Sequence, residues 1–240
     1  MTDDAPARPR RRTLLLAVGS AGIAALTAGC SGSSRATGSA ARQRAAAAAA
    51  AATPSPGAAA VPRCVLTPEA GTGPYYLDLD RARSDVTEGR DGVPLRLDLT
   101  VVRVSAGCRP LAGVPIDLWQ ADASGTYSLG GDSFLRGTQI TDRAGRVTFR
   151  TIVPGWYAGL APHIHFKVRP ETRTETASQL FFPEPLLRRI YATEPYAART
   201  APKNPNGRDS RYREFGPSMT LKPVPDGDSG YQAEYVVGIA

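Results

Sequence analysis

The chain has 240 residues, 42% of them hydrophobic, and a formal net charge of +7, enough for one or two domains with an apolar core. The charge is unevenly placed: residues 1–62 carry seven Arg and two Asp, which leaves 22 basic against 20 acidic residues in 63–240. The C-terminal part is nearly neutral, so the sequence carries no electrostatic footprint for nucleic acid.

In chain order, Arg10-Arg11-Arg12 precedes the apolar run Thr13 to Leu26 and the small residues Ala28-Gly29 before Cys30. A basic region, a short apolar core and a small-residue site predict an export signal over 1–30, of twin-arginine type and too short for a comfortable membrane span. Cys30 resembles the cysteine of a bacterial lipobox, although Thr27 stands where an aliphatic residue is usual. A lipid anchor at Cys30 and simple cleavage with release both stay open, and either places the protein outside the cytoplasm. Residues 31–62 are mostly Ser, Gly, Ala and Pro with three arginines, and include the run Ala45 to Ala52. They have no amphipathic face to bury and predict a tether. The folded domain is read as 63–240.

Two of the three cysteines fall in that domain. Disulfides persist in exported proteins, so Cys64 and Cys108 are predicted to form a bridge from the N-terminal segment to a loop. Strand patterns follow at Leu95 to Val104, with Leu95, Leu97, Leu99 and Val101 alternating, then Val114 to Gln120, Val147 to Val153, His163 to Val168 and finally Tyr231 to Gly238. Turn signals such as Ala123-Ser124-Gly125, Asp142-Arg143-Ala144-Gly145 and Pro154-Gly155 separate them, which predicts a β-sandwich. One helical pattern spans Pro183 to Ala192, where Leu186, Leu187, Ile190 and Tyr191 share a face. The polar stretch Thr200 to Tyr212 reads as a surface loop over the core.

The only two histidines are His163 and His165, and side chains at i and i+2 of a strand point to one face. They can form a metal pair or be packed rings satisfied by backbone. Tyr127 and Tyr157 each lie just beyond a predicted strand. Two phenolates beside two imidazoles favour a hard, highly charged ion such as Fe(III), although a tyrosine taken alone is more commonly a packing residue.

The segments Cys64 to Glu69, Gly73-Pro74-Tyr75-Tyr76, Leu118 to Tyr127, Phe134-Leu135-Arg136-Gly137 and Thr151 to Val168 occur in an order that resembles the intradiol ring-cleavage dioxygenases, specifically their exported branch. The resemblance implies an all-β, transthyretin-like β-sandwich with long active-site loops and one short helix. It implies one non-haem Fe(III) per chain, held by Tyr127, Tyr157, His163 and His165, and no organic cofactor. The implied partners are small catechols and O2, with both oxygen atoms inserted into the ring to give a cis,cis-muconate. Tyr157 would be displaced by substrate and take up a proton, while Tyr127 stays bound. Gln179 would position polar groups around the reacting ring, with a strand-edge glutamine as the equal alternative. Tyr75 and Tyr76 would line the substrate mouth, with core packing as theirs. The membrane would be met only through a lipid anchor at Cys30.

One departure matters. The family usually carries an arginine three residues before the first histidine, and this chain has Leu160. Losing one preorganised donor of that kind costs about 10²- to 10³-fold in rate. Slow turnover is therefore expected unless a group such as Arg136 or Arg150 supplies the charge. An iron-loaded but catalytically weak binder of catecholic compounds and a metal-free sandwich module are the alternative readings.

Overall fold

Leu95, Leu97, Leu99 and Val101 alternate along β1 (Pro94–Arg103), and this is the buried face of the strand at the centre of the first sheet. The computed structural model describes residues 64–157, 159–170, 175–199 and 203–240, so the export signal, Cys30 and the tether lie outside the described residues. Along one edge β1 runs parallel to β9 (Gly230–Ile239), from Leu95↔Tyr231 to Arg103↔Ile239. Its other edge takes β5 (Arg146–Ile152) and then the two-residue β2 (Arg109–Pro110), both antiparallel. β8 (Val224–Asp226) completes this sheet as a hairpin arm on β9.

The second sheet has the order β4 (Arg136–Ile140), β3 (Pro115–Gln120), β6 (His163–Val168) and β7 (Thr176–Phe181). Ile116 and Leu118 of β3, Ile164, Phe166 and Val168 of β6 and Leu180 of β7 join the β1 and β5 side chains in one core, each at most 1% exposed. Burying side chains of this size contributes roughly 1.5–3 kcal/mol each, which makes this layer the main source of stability. The result is the all-β sandwich that the alternating pattern predicts.

The five strands read from sequence are all present, with ends shifted by a residue at most places. β4, β7, β8 and β2 are additional. Arg136-Gly137-Thr138-Gln139-Ile140 and Thr176-Ala177-Ser178-Gln179-Leu180-Phe181 show no apolar alternation, because β7 is buried on both faces and β4 is held by its pairing with β3. The helix read over Pro183 to Ala192 is α1 (Glu184–Ile190), which buries Leu186, Leu187 and Ile190.

The expectation of a single short helix needs correction. At the end of the stretch read as a surface loop, and running three residues past it, α2 (Ser210–Phe215) starts at an Asp209 cap whose carboxylate accepts from the backbone N–H groups of Arg211 and Tyr212. Six residues are too few to show a helical period, and one buried anchor, Phe215, holds the turn to the core.

Candidate metal centre

The core-facing residues of β6 are Ile164, Phe166 and Val168, so alternation turns His163 and His165 to the opposite face of the second sheet. Strand register extends that face sideways. Arg136 lies opposite Trp119, Trp119 opposite His165, and His165 opposite Gln179, so the four make one row across β4, β3, β6 and β7. The Trp119 ring stacks on His165 with centroids 4.9 Å apart and planes 2° from parallel.

Tyr127 and Tyr157 reach this face from two loops that cross in close contact. The first follows β3, where the Asp122 carboxylate accepts from Ser124 N, Ser124 Oγ and Thr126 N, folding the chain back just before Tyr127. The second follows β5, where Gly155 N donates to Asp122 O at 2.9 Å. A Cβ on Gly155 would lie 2.2 Å from Ala123 O, and one on Gly125 2.1 Å from Trp156 O. Only hydrogen fits at both crossings. Tyr191 and Tyr196 brace the second loop, donating to Pro154 O and Val153 O at 2.7 and 2.6 Å.

Four aromatic heads meet as a result. His163 Nε2 is 3.0 Å from His165 Nε2 and 3.3 Å from the Tyr157 hydroxyl. Tyr127 and Tyr157 rings meet edge to face, centroids 5.5 Å apart. His163 Nδ1 is 2.7 Å from Ala161 O, an oxygen that can only accept, so Nδ1 carries the proton and Nε2 presents a lone pair inward. Among the described residues the Tyr127 hydroxyl, His165 Nδ1, Trp119 Nε1, Arg136 Nη1 and both amide atoms of Gln179 are buried without a hydrogen-bond partner. Unpaired polar atoms of this kind are costly to bury and cluster here.

Burial sets the charge states. His163 is 2% and His165 1% exposed; desolvation lowers His163 to about 4, and with the His163 charge beside it carries His165 well below the usual value. Both imidazoles are thus neutral around pH 7, the form that ligates. Burial first, then the Tyr157 hydroxyl, pushes the Tyr127 phenol up, and burial raises Tyr157 as well. A bound cation reverses that direction for a phenol. Among the described residues no three His, Cys, Asp or Glu side chains cluster to hold a metal, so a centre here needs the tyrosines.

The other expected residues are placed as follows. Tyr75 stacks on Tyr127 with centroids 4.4 Å apart, closing one side of the cluster. Tyr76 packs on Trp119, and its hydroxyl donates to Asp117 Oδ2 at 2.9 Å, a carboxylate also held by Arg169 and Thr138. The Tyr76 ring thus packs beside the His165–Trp119 stack while its hydroxyl is engaged by Asp117. Gly73, at φ +66°, passes so close that a Cβ would lie 3.3 Å from His165 Cε1. Cys64 and Cys108 are joined by a disulfide, which ties down the start of this covering segment. Leu160 is half-buried, its N–H directed at Tyr157 O. Arg150 is remote, on β5 of the other sheet opposite Arg96. Sequence reasoning passes over Trp119, whose signal is its cross-strand position opposite His165, visible only once register is known.

Fold and cluster together define a β-sandwich protein whose loops bring two phenols and two neutral imidazoles to one point. A family profile described as Dioxygenase matches residues 71–191. An intradiol ring-cleavage dioxygenase from Tetranychus urticae is 31% identical, with TM-score 0.69 over 73% of this chain and 94% of that one. The dioxygenase domain of a dioxygenase carbohydrate-binding protein fusion from Streptomyces sp. SirexAA-E is also 31% identical, with TM-score 0.58 over 73% of this chain and 98% of that one. The protocatechuate 3,4-dioxygenase beta chain of Burkholderia cepacia is 32% identical over 146 residues, 51% of this chain; the match spans 62% of that relative's length. The chain belongs to the intradiol ring-cleavage dioxygenases, a family of oxidoreductases.

Proposed function

We propose that this protein cleaves a catechol-type ring between its two hydroxyl-bearing carbons, using one Fe(III) held by Tyr127, Tyr157, His163 and His165. The observation that carries the reading is the 3.0 Å approach of the two Nε2 atoms, with His163 Nδ1 already committed to Ala161 O and the Tyr127 hydroxyl buried without a partner. A donor set of two imidazoles and two phenols fits a hard cation. The buried Arg136, which pulls the Tyr127 phenol toward ionisation, favours an anionic oxygen there.

When bound, ferric ion acts as a Lewis acid on the two substrate oxygens and lets the ring react with O2. The remaining work falls to the chain. Tyr127, 7% exposed and covered by Tyr75, keeps its position, whereas the Tyr157 hydroxyl is only half-buried and can swing away to accept a proton from a substrate hydroxyl. Trp119 stacks on His165 and fixes its ring plane. Gln179 offers an unpaired donor and an unpaired acceptor beside His165 for polar groups on the substrate. The stoichiometry closes without a further reductant: one catechol and one O2 give one cis,cis-muconate, with one ring C–C bond broken.

Metal analysis and a visible spectrum test this reading. The protein is expected to hold about one iron per chain and to absorb in the visible through its tyrosinates. Tyr127→Phe should change the colour, and His163→Ala or His165→Ala should lose the iron. Oxygen uptake and muconate formation with a panel including catechol and protocatechuate then identify the substrate. Stoichiometric zinc and no visible band in protein made with iron present would sink the assignment. Leu160 is the specific observation favouring a catalytically weak catechol binder, which the same panel separates by its low turnover.

A further inference from the structure

The loop that carries Tyr157 contributes no cation, because residues 153–162 contain neither Arg nor Lys and Leu160 stands three places before His163. Of the two substitutes suggested by the sequence, Arg150 is excluded by position and Arg136 is already matched with the Tyr127 phenol. Arg150 belongs to the other sheet, and Asp85 and Ser84 lie against its strand. Arg136 is only 4% exposed, its Nε and Nη2 are spent on Ser128 Oγ and Ser128 O, and although Nη1 is unpaired its charge is matched with the Tyr127 phenol.

Arg211 differs from both. Asp209, 1% exposed, accepts from Arg211 N at 2.8 Å with one carboxylate oxygen and from Ala161 N at 2.8 Å with the other. One side chain thus clamps the first turn of α2 to the backbone two residues before His163. On the next residue, the Tyr212 ring meets Phe181 edge-on with centroids 5.2 Å apart, and Phe181 lies 5.9 Å from the His163 ring. Between these two attachments sits Arg211, half-buried, with a guanidinium that makes no ion pair and no hydrogen bond among the described residues. Its charge lowers Tyr157, His163 and His165, in keeping with its place on the turn that Asp209 fastens to Ala161 beside His163. The Asp209 carboxylate accepts from backbone N–H groups and acts on Tyr157 and His163 in the opposite sense to Arg211.

We propose that Arg211 is the substrate-facing cation of this site, held by Asp209 where it offsets the negative charge of a bound catecholate in place of the arginine that Leu160 replaces. The proposal rests on the iron–catechol reading above. Asp209 is then a positioning residue, and Arg211 takes over, from a different element of the fold, the charge that the family's loop usually brings.

The test is a titration of the full-length, iron-loaded protein with 4-nitrocatechol, followed by its visible spectrum. Removing a partner from a charge-assisted contact typically weakens binding by about tenfold or more, so Arg211→Gln should raise Kd by that factor with iron content unchanged. Arg211→Lys should recover most of the affinity, and adding Leu160→Arg to Arg211→Gln should restore it. A Kd for Arg211→Gln within about twofold of the parent, at equal iron content, overturns the proposal, since a direct charged contact cannot be worth so little. Leu160→Arg in the otherwise unaltered chain decides the matter independently of how Arg211 variants fold. A change within about twofold is expected if the charge is already supplied, whereas a gain of about tenfold or more means the site lacked a cation and Arg211 does not serve it. Iron content and tyrosinate absorption of the parent report separately on the underlying reading: without them both fail, and with them only the Arg211 result is at stake.

Discussion

Arg136 carries a full charge into a place where no carboxylate among the described residues meets it. Among the described residues its side-chain bonds go to Ser128 alone, and Nη1 has no partner. Desolvation lowers the affinity of this guanidinium for its proton, and the one compensating group is the Tyr127 phenol. On the proposed iron-binding role, a tyrosinate at 127 would complete the pair, since a buried charge without an opposite one is costly. In the iron-loaded protein, Arg136→Gln should therefore destabilise the Tyr127 anion and move the tyrosinate absorption to longer wavelength. A band identical to the parent's, at equal iron content, would show that Tyr127 does not depend on this charge. The same reasoning separates two arginines that a sequence cannot rank. Arg136 and Arg150 look alike as substitutes for the missing cation, yet one lies in the row of His165 and the other on the far sheet.

At the scale of elements, the crossing of the two tyrosine-bearing loops is the feature on which the cluster depends. Pro154-Gly155 and Ala123-Ser124-Gly125 are legible as turns, but nothing local shows that they touch. Gly155→Ala would set a methyl 2.2 Å from Ala123 O and 2.8 Å from Asp122 O, which forces backbone to move. Overpacking of this sort costs about 1–3 kcal/mol, and because both loops shift, the tyrosinate absorption should weaken along with the melting temperature. Gly159→Ala is the control. There φ is +81° and nothing lies within 4 Å of the added Cβ, so the penalty is conformational only, about 1 kcal/mol. Equal effects from the two substitutions would contradict close approach as the cause.

Over the whole molecule, the segment from Cys64 to Tyr76 is tied across both sheets and covers the cluster. Thr67 N donates to Gly238 O on β9, Ala70 N to Ala177 O on β7, and Ser178 Oγ to Pro68 O. The Cys64–Cys108 bridge closes a loop with a sequence separation of 44. In the chain-entropy account a loop of that length is worth about 3–4 kcal/mol. Cys64→Ser combined with Cys108→Ser should therefore lower Tm by several degrees, measured by calorimetry on protein of matched iron content. The covering segment also brings Gly73 and Tyr75 to His165 and Tyr127, so the same variant should exchange its iron faster with a chelator. An unchanged Tm would leave the bridge without a stabilising role.

What the sequence determined by itself is what a few neighbouring residues encode. The alternation of Leu95, Leu97, Leu99 and Val101 specifies a strand with one buried face, the His163-Ile164-His165 spacing sets two imidazoles side by side, and ordered segments carry the family resemblance with Tyr127 and Tyr157 in it. Strands β4 and β7 escape that reading because their burial comes from what covers them. Helix α2 escapes it because six residues and one apolar anchor make no period. Tertiary structure alone decided that Trp119 lies flat on His165, that Tyr76 turns its hydroxyl to Asp117, and that Asp209 fastens the turn carrying Arg211 to Ala161 while Arg150 lies on the other sheet. Those facts depend on strand register and on Asp209 joining α2 to Ala161, contacts between residues up to dozens of positions apart. A local pattern fixes which face a side chain takes, and only the closed fold fixes what it meets there.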